Sequence, residues 1–142
     1  MAGWKDFTEI AAWQLARALK LHVDVLLRKP EIATRFKFRS QVSDAARSGP
    51  RNIAEGFARF SNKEFARFVR IAKAAEAEVI NHLIDAYDQG LITEEELFGA
   101  RHLARRAMGA AIGLIQHLEA TTEPPKPNRR NNRNNRNNRN RA

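Results

Sequence analysis

The stretch "SGPRNIAEGFARFSNKEFARF", residues 48–68, decides the fold, because a Gly-Pro pair sits inside a chain that otherwise reads as helix. Read as a turn, the pair splits the chain into five or more pieces; read as a helix interior, it leaves four long helices. Working outward from the pair, Phe38, Val42, Ala45, Ala46, Gly49, Ile53, Phe57 and Phe60 recur at steps of one, three or four residues, with no loss of phase across Gly49-Pro50. A turn normally resets the helical phase and a kink need not. Pro50 removes one backbone hydrogen bond and clashes with the carbonyl of Ala46, at a cost of roughly 3 kcal/mol that packing on both sides must offset. The spacing therefore predicts one kinked helix over about 34–60. Ala45, Ala46, Gly49, Ala54 and Gly56 would let a neighbouring helix come close.

Three further helices flank it. The first spans about 6–29, with Ala12, Leu15, Ala16, Leu19, Val23 and Leu26 as its apolar stripe. Trp13 falls on the opposite, polar face. The third opens on "SNKE", where Ser61 and Glu64 have the spacing of a capping box. Its stripe is Phe65, Phe68, Val69, Ala72, Val79, Leu83 and Ala86, and Gly90 suits the left-handed position beyond its end. Glu76 falls close to that stripe, either needing a partner across an interface or sitting at the stripe's edge. A second capping box, Thr93 with Glu96, opens the fourth helix, striped by Leu97, Ala100, Ala104, Met108, Ala111, Ile115 and Leu118. Four amphipathic helices with short connections predict an all-α, antiparallel four-helix bundle with a kinked second helix.

The chain has 142 residues, 43% of them apolar, enough for one domain with a sizeable core. It has no cysteine, which excludes disulfides and thiolate chemistry. No apolar run approaches the roughly 18 residues of a membrane span, and the N-terminal segment lacks the order of a signal peptide. A cytoplasmic protein without membrane contact is expected. The net charge of +9 is unevenly placed, since residues 124–142 hold seven of the 25 basic residues and none of the 16 acids. The bundle, residues 1–123, thus carries only about +2. The prolines at 124, 125 and 127 stop the last helix, and the Asn/Arg run beyond has nothing to bury, so a disordered tail is expected.

Three groups of cations are candidates for nucleic-acid contact. Lys63, Arg67 and Arg70, with Arg59 joining if the phases align, lie opposite the Phe65/Phe68 stripe. They stand near a helix N-terminus, where the macrodipole disfavours cations, so the pattern points to something besides helix stability, such as phosphate binding. The other reading, a solvated face with inter-subunit ion pairs, is the more ordinary one. Arg101, His102, Arg105 and Arg106 form a second cluster with the same two readings. The tail, with Arg129, Arg130 and Arg133 among its cations, suits non-specific contact with RNA or DNA, or is an unselected extension. Catalysis is not expected. His22, His82, His102 and His117 are scattered without metal-ligand spacing, and no cofactor or metal is implied. Gly109-x-x-x-Gly113 reads as close helix packing.

Across residues 41–79 the chain resembles the bacterial four-helix-bundle proteins known as 23S rRNA intervening-sequence proteins. Gln41, Ala45, Ser48, Asn52, Ile53, Ala54, Glu55, Gly56, Arg59, Ser61, Glu64 and Phe65 match the family's pattern, Trp13 fits the tryptophan of its first helix, and Glu78 the glutamate of its third. The resemblance covers about residues 6–120. It implies a four-helix protomer assembled as a homopentamer, from a family encoded within intervening sequences of bacterial ribosomal RNA genes and elsewhere. A structurally similar relative is the accessory subunit of reverse transcriptases in diversity-generating retroelements, where nucleic-acid binding is implied. This chain departs in its Asn/Arg tail and in "AAEAE", where a Gly-Ser pair is common. In an oligomer, Trp13 would anchor a subunit interface rather than stack a base. Asn52 and Glu55, read as facing away from the apolar stripe, would join Glu78 there; alternatively Glu55 pairs with Arg51 one turn back.

Overall fold

The computed structural model describes residues 3–121, so Arg129, Arg130, Arg133 and the rest of the basic segment 124–142 lie outside the described residues. A 3₁₀ turn at Phe7–Glu9 leads into α1 (Ala11–Leu26), a single turn α2 (Pro30–Ala33), α3 (Phe36–Phe57), α4 (Asn62–Asp88) and α5 (Glu94–Ala120). The four long helices form a ring in which α1 and α4 each pack on both α3 and α5. Neighbours run antiparallel. Lys29, beyond the end of α1, meets Glu96 at the start of α5 at 2.6 Å, and Arg35, ahead of α3, meets Gln89 after α4 at 3.3 Å. No described helix is long and apolar enough to cross a membrane.

α3 runs through Pro50 without interruption, as the unbroken phase predicted. Pairing glycine with the proline has a local reason. A side chain on the residue before proline clashes with the ring when that residue is helical, and Gly49 has no Cβ to clash. Val42 and Ile53 on either side are fully buried, each contributing roughly 1.5–3 kcal/mol by leaving water, enough to offset the lost hydrogen bond. Gly56 allows a closer approach still. A Cβ there would lie 2.7 Å from Phe65 Cδ2 and 2.8 Å from Phe68 Cβ, so α4 packs where a methyl group would otherwise stand.

Several boundaries differ from the reading of the sequence. The first helix starts at Ala11, because Asp6 caps a 3₁₀ turn through Phe7 N–H (2.8 Å) and Ile10 is extended. α2, opened by Pro30 at its first position, was not anticipated. α3 ends at Phe57, leaving Phe60 97% exposed and outside the core stripe. Only half of the first capping box forms, Ser61 Oγ accepting from Glu64 N–H at 3.1 Å. The Thr93–Glu96 box is complete. Gly90 takes the left-handed conformation (φ 74°), and the amides of Gly90 and Leu91 turn back to the carbonyls of Tyr87 and Ala86.

The interior divides into two apolar clusters. One gathers Leu19, Val23, Val42, Val79, Leu83 and Ala104; the other Ala16, Ile53, Phe65, Val69, Ala72 and Ile115. Glu76 lies between them in sequence and belongs to neither. It is 2% exposed, and its Cγ would stand 3.6 Å from a Cβ on Gly49. The level of the proline is thus a waist lined by small residues and one carboxyl group.

Candidate nucleic-acid interface

Phe68 in α4 brings two of the four cations of the first cluster together. The guanidinium groups of Arg59 and Arg67 each stand 4.8 Å from the centre of the Phe68 ring, and Lys63 is exposed one turn earlier on α4. Cation–π contact of this kind at an exposed site is worth roughly 0.5–1 kcal/mol and holds both side chains in place. Arg59 also pairs with Glu55 at 2.9 Å, so Glu55 looks forward one turn to Arg59 and not back to Arg51. Arg70 is engaged by Glu119 of α5. Lys63 and Arg70 line a cleft of about 310 Å³ with that same Glu119, which cancels part of its positive charge.

The second cluster stands apart. Arg101, Arg105 and Arg106 are exposed on the first half of α5, and none has an acidic partner within 4 Å among the described residues. Because Arg70 meets Glu119, the α4 cluster lies beside the far end of α5. The 14 residues from Arg105 to Glu119 correspond to about 20 Å along the helix. One subunit therefore presents two separate basic patches.

The residues assigned to an oligomer interface fall into different settings. Trp13 is half-buried. It packs against the second cluster with Phe7 edge-on at 5.4 Å, while Arg17 stands 5.9 Å from its ring centre. The 3₁₀ turn that displaced the start of the first helix is what covers it. Asn52 is buried, contrary to the expectation of an open face, and its amide donates to the Ser48 carbonyl (2.8 Å) and hydroxyl (2.9 Å) within its own helix. Glu78 is exposed, 3.3 Å from His82 Nε2. Gly109 and Gly113 are exposed as well, with nothing within 4 Å of a Cβ on either, so they pack against no helix of this subunit.

Two acids have shifted affinities for protons. Burial pushes the Glu76 carboxyl up to about 8, and neither oxygen has a hydrogen-bond partner among the described residues. Burial acts the same way on Glu96, but hydrogen bonds from Lys29 and from Thr93 outweigh it and hold that carboxyl below its ordinary value. No described group of three or more His, Asp or Glu side chains could hold a metal ion.

The sequence reading missed a third basic locus, on α3. Arg39, Ser43 and Arg47 recur at four-residue steps beside Phe36 and Ser40, a polar row indistinguishable in sequence from the solvated face of an amphipathic helix. Comparison with curated proteins returns no match. A family model for the 23S rRNA-intervening sequence protein matches residues 8–109, the first three long helices and the part of α5 that bears Arg101, Arg105 and Arg106. With most of its length matched and its helices packed as that resemblance implied, the chain belongs to the 23S rRNA-intervening sequence protein family.

Proposed function

We propose that this protein is a non-enzymatic homo-oligomer that associates with nucleic acid, RNA foremost, through basic helix faces and its Asn/Arg-rich tail. The observation that carries the reading is the row Arg101, Arg105 and Arg106, exposed and without an acidic partner within 4 Å among the described residues. Exposed cations left unneutralised by the fold are suited to phosphates, whose binding releases counterions. The resemblance implies a pentamer, which would repeat each subunit's basic patches around a common axis and multiply weak contacts into avidity for an extended polyanion. The seven tail cations would add sequence-independent affinity. A cytoplasmic setting follows from this role.

The test is fluorescence anisotropy with labelled RNA and DNA across a salt series, on the whole chain and on residues 1–123, with sedimentation confirming that the assembly mass is kept. Binding by the bundle itself should weaken by about 0.7 log units per log unit of salt for each single-strand phosphate contacted. Replacing Arg101, Arg105 and Arg106 by Ala should flatten that slope. If neither form binds near physiological salt, the reading fails.

A second reading, a protein-binding scaffold or accessory subunit such as that of a reverse transcriptase, is favoured by one observation. Gly109, Ile112 (43% exposed) and Gly113 leave an apolar, small-residue patch on α5, beyond Arg105, that no helix of the subunit covers. Under this reading Gly113→Leu would abolish partner binding or lower the assembly mass while nucleic-acid affinity stays unchanged.

A further inference from the structure

Between the end of α1 and the first half of α3 lies a cleft of about 400 Å³ lined by Arg28, Phe36, Arg39, Ser40, Ser43 and Arg47. Its single acidic lining residue, Asp24, is held by Lys20 at 2.8 Å, so three guanidinium groups face the cleft against a carboxylate already neutralised. The cleft at the start of α4 offers only Lys63 and Arg70 against Glu119, which engages Arg70. The α1/α3 cleft is therefore the more positive of the two, although nothing in the sequence reading singled it out.

Two details suit it to a ligand. Arg39 is anchored by donating from one terminal nitrogen to the Ala33 carbonyl at 3.2 Å, yet its Nε is buried and has no partner. Held by the bond to Ala33, the rest of that guanidinium is what an anion in the cleft would meet. Phe36 is 74% exposed, and it also lines a second cleft with Arg35, Lys37 and Asp85, whose carboxylate accepts from Gln89 at 2.8 Å. An exposed aromatic ring beside a basic cleft is the arrangement on which an unpaired base stacks while cations track the backbone. On α3, Phe36, Ser40, Ser43 and Arg47 follow one another at steps of four, three and four residues, one helix face about 16 Å long. The serine hydroxyls along it are donors of the kind that phosphate oxygens accept from.

We infer that this cleft seats the sugar-phosphate backbone of a single-stranded nucleic acid, with Arg28, Arg39 and Arg47 on phosphates and Phe36 stacked on a base. The inference rests on the proposed function and adds the strand type and the place. A duplex keeps its bases stacked on one another and offers Phe36 none.

The test uses the intact chain with fluorescein-labelled oligouridylate, oligothymidylate and a duplex of equal length. Arg47→Ala should reduce the salt slope by about 0.7. Phe36→Ala should weaken single-strand binding roughly 5- to 100-fold with the slope unchanged, Phe36→Trp should restore it, and duplex binding should ignore both Phe36 variants. If wild type binds single strands and Arg47→Ala and Phe36→Ala bind them equally well, this inference is overturned while the wider reading stands. If wild type binds no nucleic acid near physiological salt, the wider reading falls and takes this one with it. If Phe36→Ala changes the sedimenting mass, the ring serves a subunit contact, which also overturns the inference.

Discussion

Replacing Glu76 with Gln tests the one acidic side chain that the described fold buries. Glu76 is 2% exposed, lacks a hydrogen-bond partner among the described residues, and has its carboxyl pushed by burial from 4.5 up to about 8. In the unfolded chain it titrates at its ordinary value. Between pH 4.5 and about pH 8 the folded state therefore holds a proton that the unfolded state has released, and stability falls as pH rises. The slope is about 1.4 kcal/mol per pH unit. Stability from this site is complete below pH 4.5 and lost by about pH 8, a total of up to about 5 kcal/mol, of which about 3 is gone by pH 7.

The assay is urea unfolding followed by circular dichroism from pH 5 to 8, at one fixed protein concentration because assembly contributes by mass action. Every other side chain is common to the two proteins, so subtracting Glu76→Gln from wild type isolates residue 76. Wild type should lose stability relative to the variant at the slope given above. Parallel profiles would refute the reasoning. They would mean that the carboxylate is ionised when folded and has found a cation, which the described subunit does not supply and another subunit must.

Gly56→Ala should destabilise by about 1–2 kcal/mol, since the methyl group meets Phe65 and Phe68 below 3 Å and overpacking of about 1–3 kcal/mol outweighs a helix-propensity gain of up to about 1; a raised urea midpoint would contradict the close approach. Thr93→Ala removes the acceptor of the Glu96 N–H bond and should cost about 1 kcal/mol in the same assay. Lys29→Met removes a partner that holds the Glu96 carboxyl low. The depressed carboxyl stabilises the fold above its ordinary value of 4.5 and that contribution is lost on acidification, so acid unfolding of wild type should be steeper than that of the variant below pH 4.5.

The architecture was legible wherever periodicity and caps agree. The stripe from Phe65 to Ala86 is buried throughout, and the signals at Thr93 and Gly90 ended or began helices where they stand. The failures share a cause. Periodicity gives the direction of a side chain but neither the helix ends nor a partner's choice. Phe60 kept the spacing of α3 after the helix had stopped, so its phase no longer pointed inward. Asn52 looked like a polar-face residue, but it satisfies itself on Ser48 one turn back and so can be buried. Glu55 had cations within reach on both sides, and only the path of the chain beyond Phe57 selects Arg59. The α1/α3 cleft was illegible because Arg28 and Arg47 are 19 residues apart in sequence and the turn α2 folds one toward the other.

Glu76 and Pro50 are best understood together. Proline at 50 leaves the Ala46 carbonyl without its helical N–H donor, and Gly49, in that same turn, lies against α4, a Cβ there standing 3.7 Å from a Glu76 oxygen. A carboxyl group that keeps its proton when buried has one O–H to donate. An acceptor without a donor and an acid held neutral thus occur in the same turn-to-turn contact at the waist between the two apolar clusters, with no hydrogen bond joining them among the described residues. If they answer each other, Pro50→Ala should stabilise a Glu76→Met background by up to about 3 kcal/mol. In wild type the gain should be smaller, because the restored N–H would take the acceptor that the carboxyl uses. Neighbours that share a partner show interaction energies of about 0.5–3 kcal/mol in a double-mutant cycle. Additivity within about 0.5 kcal/mol would separate the two features, leaving Glu76 neutral through burial alone.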